Sequence, residues 1–149
     1  MALGQDQAVA LLSVHSEFAQ AILHGTKTVE LRRRPPKREV SHVVLYETAP
    51  TSAIVGWARV QSVETRSPTS IWTTWGVSAG VTRDRFRRYF SGTSEATAIV
   101  LGVTRRLEVP MPLALLGLHA APQNFIYLNG QADAVPGLAE DAMRCTGSW

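Results

Sequence analysis

The stretch Ser13–Arg34, SVHSEFAQAILHGTKTVELRRR, changes its periodicity part-way along, and that change decides how the chain is read. Phe18, Ala19, Ile22 and Leu23 recur at helical spacing and make one apolar stripe. Ser16 precedes the stripe, where a hydroxyl can accept from a free backbone N–H of the first turn. Gly25 stands just past its end, where a left-handed residue closes a helix. After Gly25 the period is two. Val29 and Leu31 fall on one face; Thr28, Glu30 and Arg32 fall on the other. Such a strand is half-buried, with its charged face toward solvent or a polar cleft. Lys27 sits at the mouth of the strand, so Lys27, Glu30 and Arg32 are expected to share one surface. An ordinary exposed strand face fits the same spacing, and a Glu30–Arg32 pair there would contribute about 0–1 kcal/mol.

Upstream, Met1–Gln7 is polar and expected to be loose, and Ala8–Val14 is an apolar run of buried-strand length. His15 follows at the strand end, facing either a cleft or a local carbonyl. Downstream, Arg34-Pro35-Pro36-Lys37 ends the charged strand, because proline removes donors. Further strands are predicted at His42–Thr48, Ala53–Glu64, Ala96–Leu107 and Phe125–Leu128. In the first of these, Val43 and Leu45 oppose His42, Val44 and Tyr46. In the second, Ile54, Gly56 and Ala58 oppose Val55, Trp57 and Arg59, with Gly56 as a bulge or a point of close backbone approach. Thr82 caps a second helix whose stripe is Phe86, Tyr89 and Phe90, with Asp84 in its first turn. Tyr89 is expected to pack on the sheet, although its hydroxyl could reach a cleft. Ile71–Trp75 reads as a helical turn, and Leu138–Met143 as a short amphipathic helix. Several short strands interrupted by two capped helices make an α+β fold.

The length of 149 residues fits one domain, and 45% hydrophobic residues is ordinary for a globular chain. Cys145 is the only cysteine, so no internal disulfide forms. It has no cysteine partner for zinc, and the four histidines are scattered, so no metal is expected. No basic-then-apolar leader and no bilayer-length apolar run is present, and the expectation is a cytoplasmic protein without a membrane partner. The net charge of +3 is unevenly placed. Arg32, Arg33, Arg34, Lys37 and Arg38 form one cluster; Arg83, Arg85, Arg87 and Arg88 form another. Clustered guanidinium groups suit phosphate, which they bind through two parallel hydrogen bonds. Solvated surface accounts for each cluster equally well. Tyr46 and Trp57 each offer a ring on which a base could stack, with core packing the better reading for Trp57. Gly-rich phosphate loops and a Gly-x-Ser-x-Gly elbow are absent.

Gly25-x-Lys27-x-x-Glu30-x-Arg32 is followed in order by Val44-Leu45-Tyr46 with Thr48-Ala49-Pro50, Ile54-Val55-Gly56 and Ile71-Trp72. Tyr89-Phe90-x-Gly92 with Ala96-x-Ala98-Ile99, and Pro122-Gln123-x-Phe125-x-Tyr127-Leu128, come next. Together these resemble the ASCH domain family of the PUA-like superfamily over roughly residues 9–128, leaving 1–8 as a loose N-terminus and 129–149 as a tail. The resemblance implies a small PUA-like β-barrel of about five or six strands with two main flanking helices. It also implies a cleft beside Gly25–Arg32 that binds RNA or nucleotides, without a cofactor. Single-stranded RNA, a nucleotide or a nucleoside would meet Lys27, Glu30, Arg32, Tyr46 and His15, with Arg34 and Arg88 on phosphate. Some members are ribonucleases, and some small bacterial ones remove the acetyl group of N4-acetylcytidine; in either chemistry Lys27 and Glu30 would be catalytic. Those amidohydrolases carry a threonine three residues after the lysine, where this chain has Glu30. A lysine acts as a base only if its pKa falls toward about 7, which needs burial or nearby positive charge. The family takes its name from a transcription coactivator, so a protein partner is a third reading.

Overall fold

The structure, a computed structural model that describes residues 7–146, is a six-stranded mixed sheet with helices packed over it. The strands are β1 (Gln7–Val14), β2 (Val29–Arg32), β3 (Glu39–Glu47), β4 (Ala53–Arg66), β5 (Ala96–Met111) and β6 (Phe125–Leu128). The helices are α1 (Ser16–His24), α2 (Pro68–Trp75), α3 (Arg83–Tyr89) and α4 (Leu138–Thr146). The sheet order is β2-β5-β4-β3-β1-β6, with β1 and β3 parallel and every other pair antiparallel. The α+β class is as expected, but the sheet is not a closed barrel. β2 and β6 are four residues each, pair on one side only, and stand at opposite edges. Besides the two main helices, α2 and α4 stand where a helical turn at Ile71–Trp75 and a short amphipathic helix at Leu138–Met143 are expected, each somewhat longer. α2 starts at a Ser67 cap with Pro68 at its first position, the placement where a missing N–H costs nothing. The expectation of a loose N-terminus falls on residues outside the described ones, except that Gln7 already belongs to β1.

Both faces of the sheet are covered, which is why β1 reads as an unbroken apolar run. Val9, Leu11, Val44, Tyr46 and Trp57 pack with Leu138 of α4 on one face. Ala10, Leu12, Val43 and Leu45 pack with Ala19 and Ile22 of α1 on the other. A third cluster joins Val29 and Leu31 of β2 to Ile71, Phe86 and Phe90 of α2 and α3. Gly25 closes α1 at φ 85°, as its place in the sequence required. Ser16 does not cap it. His15 holds the cap position without a side-chain bond, and the Ser16 hydroxyl donates to Glu47 at 3.0 Å. Thr82 does cap α3, accepting from the Arg85 N–H at 3.2 Å.

The expected alternation along β4 first fails beside Gly56. Gly56 pairs with Leu45 but Ile54 pairs with Tyr46, so Val55 is an extra residue and the side-chain phase slips. Ile54 and Trp57 therefore share one core cluster, while Val55 and Ala58 share the other. Gly56 is a close-approach position: a Cβ there would lie 2.4 Å from the Arg105 carbonyl oxygen. Gly56→Ala is expected to cost about 1–3 kcal/mol, read as a lower urea midpoint with an unchanged slope.

The C-terminal helix is fastened by charge as well as by Leu138. Asp141 accepts from both Nε and Nη2 of Arg59, and His42 Nε2 lies 2.7 Å from its Oδ2. Burial holds the His42 imidazole below the ordinary histidine range, against the pull of Asp141. The Arg59 hydrogen bond is the main reason Asp141 titrates below the usual carboxylate range. A depressed histidine means that the unfolded chain takes up its proton first as pH falls. Stability should thus decline as pH drops from about 6.5 toward the folded value, by no more than about 1.4 kcal/mol per pH unit for this one group. Urea titrations of wild type and His42→Gln between neutral and mildly acid pH check this; the variant should lose that part of the slope.

Candidate functional site

Lys27, Glu30 and Arg32 do share one surface, and it is buried. They are 2%, 7% and 9% exposed, and form the floor of a cavity of about 430 Å³ between α1, β2, α3 and the loop before β6. The exposed-strand alternative fails because α3 lies over β2. Phe86 and Phe90 pack against it, and the Tyr89 hydroxyl lies 3.5 Å from the Leu31 carbonyl. Glu30 stands between the two cations. Its Oε2 accepts from Arg32 Nη2 at 2.8 Å, and its Oε1 lies 3.4 Å from Lys27 Nζ. Lys27 also donates to the Ala79 carbonyl. Arg32 Nη1 donates to the Asn124 side-chain oxygen, and Nη2 reaches the Ser13 carbonyl at 3.4 Å. Arg32 Nε is buried without a hydrogen-bond partner.

Burial pushes the Lys27 ammonium below the ordinary lysine range, and Glu30 opposes that shift without overcoming it. Burial likewise raises the Tyr89 hydroxyl. The walls are aromatic and basic. Phe18 carries Lys27 Nζ at 5.2 Å and the Arg85 guanidinium at 4.7 Å from its ring centroid. Gly80, in the left-handed region at φ 68°, lies flat against Lys27: a Cβ there would be 3.1 Å from the lysine Cβ.

The profile of the ASCH domain family matches residues 12–110. The chain belongs to the ASCH domain family. Among proteins it is similar to, the "ASCH domain-containing ribonuclease" of Zymomonas mobilis is 36% identical over 97 residues, 64% of this chain and 66% of that one. The crystal structure of ASCH from Zymomonas mobilis superposes with a TM-score of 0.78 at 30% identity, over 85% of this chain and 92% of that one. A tyrosine-to-phenylalanine variant of the same protein superposes at 0.77 and 30% identity, covering 83% and 92%. The large ribosomal subunit protein uL22 of Ureaplasma parvum is 28% identical over 119 residues, 79% of this chain but 38% of that one.

On this ASCH chain the candidate residues divide. His15 lines the cavity together with Lys27, Glu30 and Arg32. Tyr46 does not: it is on the side of β3 that carries Val44, and it packs in the cluster under α4. Trp57 is core, as expected, and its Nε1 donates to the Pro136 carbonyl at 2.9 Å. Arg34 and Arg88 are exposed and line no part of the cavity; Arg85, one turn before Arg88, lines it and also meets Glu17 at 3.0 Å. Arg33 donates to the Ser91 carbonyl at 3.1 Å, which ties the loop after β2 to the end of α3 and sets the two basic clusters side by side.

Tyr89 is 42% exposed and lines the cavity, so its packing role is partial. Asn124, the x of the Pro122-Gln123-x-Phe125 run, lines the cavity too, and only its place inside that run marks it in the sequence. No metal was expected from spacing along the chain. Among the described residues, His42, Asp141 and Cys145 nevertheless bring ligand atoms within 4.8 Å of one another. No helix among the described residues is long and apolar enough to cross a membrane.

Removing Glu30 leaves two buried cations facing each other. Glu30→Ala should destabilise the fold by about 3–5 kcal/mol, whereas Arg85→Ala, which breaks an exposed pair, should cost under about 1 kcal/mol. Denaturant unfolding of the two variants compares them directly.

Proposed function

We propose that this ASCH chain acts on RNA, holding one nucleotide of a single strand in the cavity over Lys27, Glu30 and Arg32. The observation that carries the reading is the division of labour within the site. The three buried charges mostly satisfy one another, so they hold the walls and set a positive floor. The groups open to a ligand are Tyr89, His15, Arg85 and Asn124. Tyr89 offers a ring for a base, and Arg85 offers a guanidinium for a phosphate oxygen. Asn124 has its side-chain oxygen committed to Arg32, which leaves the amide N–H groups for an acceptor on the ligand. The basic clusters joined through Arg33 and Ser91 supply a path for the backbone on either side, including Arg34 and Arg88.

Cleavage of the strand is the second reading. It is favoured by the ribonuclease name of the Zymomonas mobilis relative and by the depressed Lys27. A lysine that gives up its proton more readily than a solvated one can pass that proton to a leaving oxygen, and its ammonium can stabilise charge on a phosphoryl oxygen. Glu30, paired to both cations, serves here to hold Lys27 in place. Removal of an acetyl group from a modified base has less support, since the threonine that goes with it is replaced by Glu30 itself.

Fluorescence anisotropy with a short labelled single-stranded RNA tests binding. Affinity should fall as salt rises, and Tyr89→Ala should lose about 1–3 kcal/mol of it. Salt-independent binding, or full affinity in Tyr89→Ala, would contradict the proposal. Mass spectrometry of the same RNA carrying one N4-acetylcytidine, after incubation with wild type and Lys27→Met, separates the chemistries. Fragments made only by wild type mean strand cleavage, loss of acetyl means amide hydrolysis, and intact RNA with both means binding alone.

A further inference from the structure

A second cavity, of about 490 Å³, is lined by Ser41, His42, Arg59 and Cys145 and is separate from the cavity over Lys27. We propose that His42 Nε2, Asp141 Oδ2 and Cys145 Sγ form a site for a thiophilic divalent cation of the zinc type, with its remaining position open to this cavity. Imidazole, carboxylate and thiolate are all zinc ligands, and three protein ligands with an open fourth position is the arrangement of zinc sites that exchange a small ligand. Asp141 and Cys145 are four residues apart on α4 and so stand on one face, one turn from each other. His42 meets them from β3, and the three ligand atoms lie within 4.8 Å of one another.

The surroundings of His42 suit a ligand. β1 and β3 change register between Ala8 and Val9: Ala8 pairs with Val40 and Val9 with His42, so Ser41 is an extra residue. That bulge puts the Ser41 hydroxyl 2.9 Å from His42 Nδ1. Ser41 can donate in turn to the Ala8 carbonyl, at 3.4 Å. With the ring proton on Nδ1, the chain from His42 to Ser41 to Ala8 is satisfied throughout and Nε2 presents its lone pair. This is the outer support that metal-bound histidines characteristically have. Arg59 supports the carboxylate in the same way, since its Nη2 holds Asp141 Oδ1 and leaves Oδ2 to be given up by Arg59 Nε and His42. Cys145 is exposed and lines the second cavity, one turn beyond Asp141, so its sulfur faces the space where a cation would sit.

Binding is balanced as follows. The His42 proton moves from Nε2 to Nδ1, the Cys145 thiol gives its proton to solvent, and the cation takes the freed nitrogen, sulfur and carboxylate oxygen. One proton is released for each cation bound.

Cobalt(II) and zinc(II) titrations of the metal-free full chain test the site. Wild type should take one equivalent of cobalt with a thiolate-to-metal charge-transfer band. One equivalent of zinc should displace that band, raise the melting temperature and lock the His42 ring, by nitrogen NMR, in the Nδ1-protonated form. Cys145→Ser alters an exposed side chain and should fold as wild type does; it should lose the band and weaken zinc binding at least about tenfold. No charge-transfer band in wild type at saturating cobalt would overturn the proposal. So would a zinc-induced melting shift equal in Cys145→Ser and wild type, which would place the cation on other histidines.

Discussion

Glu30 between Lys27 and Arg32 is the contact on which the rest of the site depends. A carboxylate in water would pair only weakly with either cation, but α3 takes this one out of water, and both partners come with it. Each cation then reaches away from Glu30 to a different part of the chain. Lys27 holds the Ala79 carbonyl ahead of α3, and Arg32 holds Asn124 ahead of β6 and Ser13 at the end of β1. One carboxylate therefore locates three segments that are far apart in sequence. The cavity is the space those segments leave between them.

This explains why so much of the site was legible and why part of it was not. The helix stop at Gly25 and the two-residue period after it are local, and they put Lys27, Glu30 and Arg32 together without any knowledge of the fold. What local spacing cannot supply is what lies across from a residue. Tyr46 offers a ring on which a base could stack, and only the pleat of β3 shows that it goes to the other core. Arg88 and Arg85 look alike in sequence; the helical turn between them decides that only Arg85 reaches the cavity. Asn124 has no periodicity to mark it, being in a loop, and acquires its role from Arg32 ninety-two positions away.

The fold shows the same division. An apolar run placed β1, two-residue alternation placed β3, and helical spacing placed α1 and α3. Alternation fails at Val55, where an extra residue shifts the phase of β4: Gly56 marks the irregularity in the sequence, but which residue is the extra one is defined only by the partner strand. A closed barrel was expected, and an open sheet was found, for a related reason. Whether the first and last strands of an order meet depends on their lengths and on what fills the gap, and β2 and β6 are short.

That gap is a seam. Between the β2 and β6 edges no ladder of backbone bonds runs among the described residues, and the join is made by the Arg32 side chain, which reaches the Asn124 side chain and the Ser13 carbonyl. Parting them breaks the contacts of one side chain and leaves every strand pair intact, so this wall of the pocket can yield while the sheet keeps its register. The opposite wall has no such freedom, because α1 is seated on the sheet by Ala19 and Ile22, both fully buried. The pocket thus has one wall held by side chains and one seated on the sheet. A guest bulkier than the resting space would find room along the seam rather than against α1.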